Sequence, residues 1–489
     1  MTIHRTAHKY FIPALALLVT ILLASCGGVT PEPEPHPLDP TQSPGSTRTP
    51  QAVRSPTPAA STTPVPPPTL AVSENAVRGA TVEFWHIHGF LLPSMQGEDT
   101  LQSLADDFNR TNTWGISVNT TTFNDYEEII TTIQSSIYGD LPDLVLGYNY
   151  QAASLYRSGD LLADLSPYMN DPRWGLTQEE IADFLPVFWH QEQEEGARLG
   201  LPFYRSGQVL LYNQSWAEEL GFDAAPTTPD EFMDQACAAA TAVSDQEGLP
   251  ARAGGLAIDA TAPTLAAWIY AFGGALDHPG ESGYTFEDPH IVEAFTFLRN
   301  LYDEGCAWFP GSPYPNQEFA SRQALFVSGS VAGLHHQEAA FESSGSSDRW
   351  TVIPYPSEAG MPVMVVYGPS LFVLRGEIEQ ELAAWLFARW LASPEVQTGW
   401  VREHGTLPTR YSVLEGLNDY RSNHSQWAAA VDQLPYARVE PGRPSWSLVH
   451  FVLSDAGRYL FSPLVTPRQI PEIIEMLEQT AAELDGQFR

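Results

Sequence analysis

TVEF (Thr81–Phe84), a helical spacing over Leu101–Asn109, the β-branched run Ile116–Phe123, a second helical stretch over Tyr126–Tyr138, and PDLVL (Pro142–Leu146) decide the fold. Apolar residues three and four apart mark amphipathic helices, and short apolar runs bounded by Pro, Asp or Gly mark strands. A βαβαβ order implies a parallel sheet covered by helices, an α/β architecture. Further helices are expected over Asp230–Val243, Ala262–Phe272, Ile291–Glu304, Glu377–Ala392, Ser447–Tyr459 and Pro471–Leu484. No internal repeat is visible, which argues against a solenoid or propeller.

Outward from this core, the N-terminus speaks of location. His4, Arg5 and Lys9 precede an apolar run, Tyr10–Ala24, that ends in Leu23-Ala24-Ser25-Cys26. A charged start, a short apolar stretch and small residues at the cut make a secretory signal over residues 1–25. Leu-Ala-Ser-Cys resembles the bacterial lipobox, whose Cys is lipidated, so Cys26 is the expected attachment point and the outer face of a membrane the expected location. Residues 27–78 carry 13 of the 41 prolines, among Thr, Ser and Ala. Such a segment buries too little apolar surface to offset its chain entropy, so residues 26–79 are expected to be a disordered, extended tether. The remaining body, from Ala80, is about 410 residues long and exceeds what one core usually holds, so two lobes are expected.

That body has 19 Arg, 55 Asp or Glu and no lysine. Its net charge of −36 excludes nucleic acid as a natural partner and leaves only a lipid anchor as a link to the membrane. Absence of lysine excludes Schiff-base chemistry and a phosphate-binding P-loop. With Cys26 lipidated, Cys237 and Cys306 form an even pair in an extracytoplasmic body. A disulfide is expected between them; two separately buried thiols are the alternative.

An ordered series of segments carries a resemblance. VEFWHIHG (Val82–Gly89), LADDFNRTN (Leu104–Asn112), LPDLVLG (Leu141–Gly147) and SGDLLADLSPYM (Ser158–Met169) come first. GLPFYRSGQVLLYNQSWAEELGF (Gly200–Phe222) and PTTPDEFMDQA (Pro226–Ala236) are the most specific. Phe286–Gly305, Arg322–Leu334, Trp350–Pro356, Ala383–Gln397 and Gly405–Arg410 complete the order. Together they resemble the sugar-type solute-binding proteins of ABC importers, the family of maltose- and glycerol-phosphate-binding proteins. The chain departs where that family has an aromatic before Asp-Glu-Phe, with Thr228-Pro229 instead, and at Gln323, where Lys is usual.

The resemblance implies two α/β lobes joined by hinge strands around a central ligand cleft. Crossings between lobes are expected in Gly200–Asn213, Arg349–Pro356 and His404–Arg410. The first lobe would combine residues 80–203 with 353–403, and the second 204–352 with 404–489. It also implies capture of a sugar or oligosaccharide, delivery to the transmembrane subunits of an ABC permease, no cofactor or metal, and action as a monomer. Glycerol phosphate or another polar solute is the alternative ligand.

A sugar presents hydroxyls on its rim and C–H groups on its faces, so its receptor needs aromatic platforms beside hydrogen-bonding side chains. In α/β sheets these gather at the carboxyl ends of strands. Trp85 and His86 directly follow the first strand, Tyr148, Asn149 and Tyr150 follow the third, and Tyr126 opens a helix. Tyr204 interrupts the first crossing, and Tyr367 ends a later strand. His335 is expected at the end of a Ser330–Leu334 strand, Trp268 before a Gly-Gly turn where the family often places an aromatic contact, and Trp446 at the start of a helix. Arg410 fits either a ligand contact or a hinge brace. No HExxH, GxSxG or GxGxxG pattern occurs, so an exported carbohydrate-acting enzyme remains only as the rival class.

Overall fold

The computed structural model describes residues 70–87, 100–136, 141–250, 253–277, 283–358 and 362–488. The expected signal, Cys26 and the tether as far as residue 69 lie outside them. Tether composition overstates the tether's length. Val72 and Val77 are buried, a helical turn forms at Glu74–Val77, and the Leu70 amide donates to Asp171 at 2.7 Å. Packing therefore begins by Leu70, two residues after the last proline of the run.

Among the described residues, twelve strands, numbered here in chain order, form the two main sheets, beside a small two-stranded hairpin over residues 193–198. β1 (Thr81–Ile87), β2 (Ser117–Phe123), β3 (Leu144–Gly147), β4 (Gly200–Pro202) and β11 (Ser370–Val373) make the first, in the order β2-β1-β3-β11-β4. β1, β2 and β3 run parallel, whereas β11 is antiparallel to both β3 and β4. β1 alternates, with Val82, Phe84 and His86 buried, while β3, a central strand of this sheet, is buried at every position.

The second sheet contains β5 (Ser206–Asn213), β6 (Gly254–Ala257), β7 (Ala307–Trp308), β8 (Ala324–Ser330), β9 (Trp350–Ile353), β10 (Met364–Tyr367) and β12 (Ala437–Val439). All eight residues of β5 are buried, and β8, β9 and β10 pair with it. The Thr228-Pro229 departure is a helix start. Thr228 caps the helix Pro229–Val243, accepting from the Glu231 amide at 3.3 Å, and Pro229 takes the first position, where a missing N–H costs nothing. That helix carries Cys237, bonded to Cys306 with Cα atoms 4.5 Å apart.

Each sheet and its helices enclose a separate core. The chain passes between sheets at Phe203–Arg205, where β4 becomes β5. Arg349–Pro356 is not a crossing: β9 pairs with β5, turns, and returns as β10 within the same sheet. The second passage is at Gly368-Pro369, between β10 and β11, so residues 353–367 belong to the second lobe. Gly368 has φ +153°, and a Cβ there would lie 2.6 Å from the Tyr204 carbonyl oxygen, so two crossings touch at the one residue without a side chain. Residues near 404–410 form a third strap, through backbone bridges Arg205–Leu407 and Phe184–Arg410.

Candidate ligand cleft between two lobes

Two buried arginines brace the hinge. Arg205 donates to Glu192 and Pro369 O at 2.7 Å, and to Tyr204 O and Ser370 Oγ at 2.9 Å, tying the first crossing to the second. Arg410 lies over the Phe184 ring at 3.7 Å and donates to Ala392 O at 2.8 Å, Glu180 O at 3.0 Å and Asp183 at 3.2 Å. Arg410 is thus placed as a hinge brace, because it is buried and its Nε and Nη1 groups donate to the strap.

The first lobe lines the cleft from the ends of its strands. β3 runs into the helix Asn149–Gly159, whose start is fixed by Gln151 accepting from the Tyr148 amide at 2.9 Å. This start presents Tyr148 and Tyr150 as half-buried, stacked rings, 5.4 Å apart and 7° from parallel. Tyr126 meets Tyr148 edge-on at 5.1 Å, and its hydroxyl lies 3.0 Å from that of Tyr204. Tyr204 in turn stacks on Trp400 at 4.9 Å. Tyr126 and Tyr204 are both buried, so they support the platform from behind.

The second lobe faces it with a polar chain. The Tyr367 hydroxyl donates to Gln208 at 3.1 Å, Gln208 to Thr264 at 2.9 Å, and Thr264 to Asp259 at 2.5 Å. Tyr270 donates to Val439 O at 3.1 Å, the last carbonyl of β12. The next residue, Glu440, is half-buried, receives a hydrogen bond from the Trp446 side chain, and has its carboxyl pushed up to about 7 by burial. Burial first holds the hydroxyls of Tyr148, Tyr150, Tyr270 and Tyr367 well above the usual phenol range; next come Glu440 for Tyr148, the Tyr148 hydroxyl for Tyr150 and Tyr367, and Asp277 for Tyr270. They remain protonated at neutral pH; Tyr270 and Tyr367 spend their protons on Val439 O and Gln208 and keep acceptor capacity.

The lobes meet at the mouth. Tyr150 and His450 approach to 6.4 Å between ring centres, and a Cβ on Gly442 would lie 3.1 Å from the Asn149 amide nitrogen. His450 Nδ1 lies 2.7 Å from Trp446 O, and a carbonyl only accepts, so Nδ1 carries the proton. Burial keeps the ring's pKa low, leaving Nε2 an acceptor. A cleft of flat rings, amides and neutral hydroxyls, closed at its rim, suits capture of a polar solute. Among the described residues, no group of three His, Cys, Asp or Glu could hold a metal ion, and no helix is long and apolar enough to cross a membrane.

Residues 103–432 match the family of bacterial extracellular solute-binding proteins. The chain belongs to this family. Its members are binding proteins, and extracytoplasmic ones. No curated protein matches the sequence. Among solved structures, the sugar-binding protein MalE of Xanthomonas citri aligns with a TM-score of 0.67 at 19% identity, over 83% of this chain and 98% of its own. Mycobacterium tuberculosis UgpB, in complex with glycerophosphocholine, gives 0.66 at 20%, over 84% and 100%. The cyclic α-maltosyl-1,6-maltose binding protein of Arthrobacter globiformis gives 0.65 at 17%, over 83% and 99%. At these identities the likeness is one of fold, the two-lobed architecture of periplasmic binding proteins.

Within this solute-binding fold, Tyr126, Tyr148, Asn149, Tyr204, Tyr367 and Trp446 gather at the cleft, though not all as surface. Trp446 is buried and acts through Glu440. Of the other four expected contacts, two are core residues. His86 is fully buried on the inward face of β1, 5.1 Å from the Phe84 ring. Trp268 is in the second core, edge-on to Phe232 and Tyr355 at 5.2 and 5.1 Å. His335 is on the first turn of the helix Leu334–Ser344 rather than at a strand end, its ring 3.7 Å from His336. Trp85 is half-buried against Phe123 at 4.9 Å. Tyr150, which the strand-end reading named with Tyr148 and Asn149, stands beside them; sequence reasoning missed Gln208, Tyr270, Glu440 and His450, none of which had a local signal.

Proposed function

We propose that this protein captures a sugar or oligosaccharide between its lobes and delivers it to the transmembrane subunits of an ABC permease. In this reading Cys26 carries lipid, the tether spans from membrane to body, and the body works as a monomer. The observation that carries the reading is the half-buried Tyr148–Tyr150 platform opposite the Tyr367–Gln208–Thr264–Asp259 chain. Rings exclude water from the C–H face of a sugar while hydroxyls and amides pair with its rim. A glycerol-phosphate ligand is less well served, because Arg205 and Arg410 are both committed to the hinge.

A thermal-shift screen of mono- and oligosaccharides, polyols and glycerol phosphates tests the proposal. A ligand at a hundred times its dissociation constant should add about 2.7 kcal/mol of stability. Stabilisation by phosphates alone would refute the sugar reading. Recovery of the oligosaccharide chemically unchanged separates capture from the enzyme reading. Replacing Cys26 by Ser should release the protein from the membrane fraction, and retention would refute the anchor.

A further inference from the structure

We infer that a second sugar or polyol molecule binds in a groove on the first lobe, between the helices Thr100–Thr111 and Pro394–His404. This site lies apart from the cleft and goes beyond the capture reading.

The groove encloses about 490 Å³, within the range of about 300–1,000 Å³ usual for small-molecule sites. Leu104 and Asp107 line it from the first helix. Val396, Gly399, Trp400 and Glu403 line it from the second, at spacings of three and four that put them on one helical face. Half-buried Trp390, near the end of the helix Ile378–Leu391, joins them. The Trp400 ring stacks on Tyr204 at 4.9 Å and on His404 at 4.0 Å. The groove therefore backs onto the first crossing, yet it shares no lining residue with the cleft.

Unmatched groups along the groove define its occupant. Trp400 is 2% exposed, and its indole N–H has no acceptor among the described residues. A buried donor left unpaired is costly, so this one calls for an acceptor. Glu395 and Glu403 call for donors: neither has an ion pair among the described residues, and Glu403 accepts from the Thr100 hydroxyl at 2.9 Å. The arginines of the three helices are paired, Arg110 with Asp107 at 2.7 Å, Arg389 with Glu180 at 3.3 Å and Arg402 with Asp419 at 2.6 Å. Burial lowers the pKa of His404 and leaves it neutral. An anion would be repelled by Asp107, Glu395 and Glu403, and an ammonium offers the indole no acceptor. Hydroxyls both donate and accept, so a polyhydroxyl molecule answers both needs. Trp390, Leu104 and Val396 supply apolar surface for its C–H groups.

Equilibrium dialysis with radiolabelled glucose, maltose and sorbitol at millimolar concentration tests this on the wild type and on Gly399→Leu. Gly399 is exposed, and nothing lies within 4 Å of where its Cβ would stand. A Leu there fills the groove without a clash and should hold or raise the melting temperature, since Gly weakens a helix interior. At saturation, the wild type should bind one molecule per chain more of at least one probe than Gly399→Leu does. Trp390→Ala should lose that molecule, and Trp390→Phe, which keeps a ring, should retain it. Equal binding of all three probes by the wild type and Gly399→Leu would overturn the inference, as would an extra molecule that survives Trp390→Ala. The count is a difference that does not depend on what the cleft holds, so the capture reading stands or falls separately.

Discussion

Removing Arg205 should damage the fold more than removing Arg205 and Glu192 together. Both side chains are 1% exposed, and their charged atoms lie 2.7 Å apart. Burial nevertheless raises the Glu192 carboxyl and lowers the Arg205 guanidinium, so desolvation outweighs attraction for each partner. Arg205→Met leaves the Glu192 carboxylate with the Ser370 hydroxyl, and leaves Pro369 O and Tyr204 O without their donor. The expected loss is about 3–5 kcal/mol, the usual cost of breaking a buried pair from one side. The carboxyl escapes that cost by taking a proton, so the loss should shrink between pH 8 and pH 5. Arg205→Met with Glu192→Leu removes both desolvation costs and should return to within about 2 kcal/mol of the wild type. Urea denaturation followed by circular dichroism at both pH values measures all three proteins. A single-variant loss below about 1 kcal/mol, or a double variant no better than the single one, would refute the reasoning.

Two further outcomes follow from the geometry. Gly368→Ala should cost about 2–4 kcal/mol, because its φ is +153° and the new Cβ would sit 2.6 Å from Tyr204 O; an unchanged melting temperature would contradict the close crossing. Glu440, with its folded pKa near 7, holds a proton that the unfolded chain has released above its ordinary value of 4.5. Its contribution is therefore present below about pH 4.5 and lost as pH rises through 7. Relative to Glu440→Gln, the wild type should lose about 1–2 kcal/mol across that window, allowing for solvent at its half-buried carboxyl, and parallel pH profiles would refute the shift.

The βαβαβ start was legible because its strands are short apolar runs between breakers and its helices keep an apolar face, as in β3 and the helix Tyr126–Ser135. The second crossing was misread because Trp350–Pro356 reads as a strand leaving its sheet through prolines. Its return as β10 is a long-range pairing with β5 that no local pattern encodes. The strand-end argument put Tyr148, Asn149 and Tyr367 at the ends of β3 and β10, and the structure has them there. The same aromatic argument failed for Trp268, because a Trp in an apolar helix is better satisfied by a core, here beside Phe232 and Tyr355. Glu440 carried no local signal among 55 acids in the body, and its surroundings are assembled from residues far apart in sequence.

The central claim, a carbohydrate held on the tyrosine platform of the cleft, is tested most directly by calorimetry with the best sugar from the screen on Tyr148→Ala and Trp268→Ala. Tyr148→Ala should lose affinity about tenfold or more while keeping its melting temperature close to the wild type. Trp268→Ala should lose about 3–5 kcal/mol of stability as a core truncation, yet bind with nearly wild-type affinity wherever it is folded. The reverse pattern, with Tyr148→Ala binding normally and folded Trp268→Ala losing the sugar, would contradict the account.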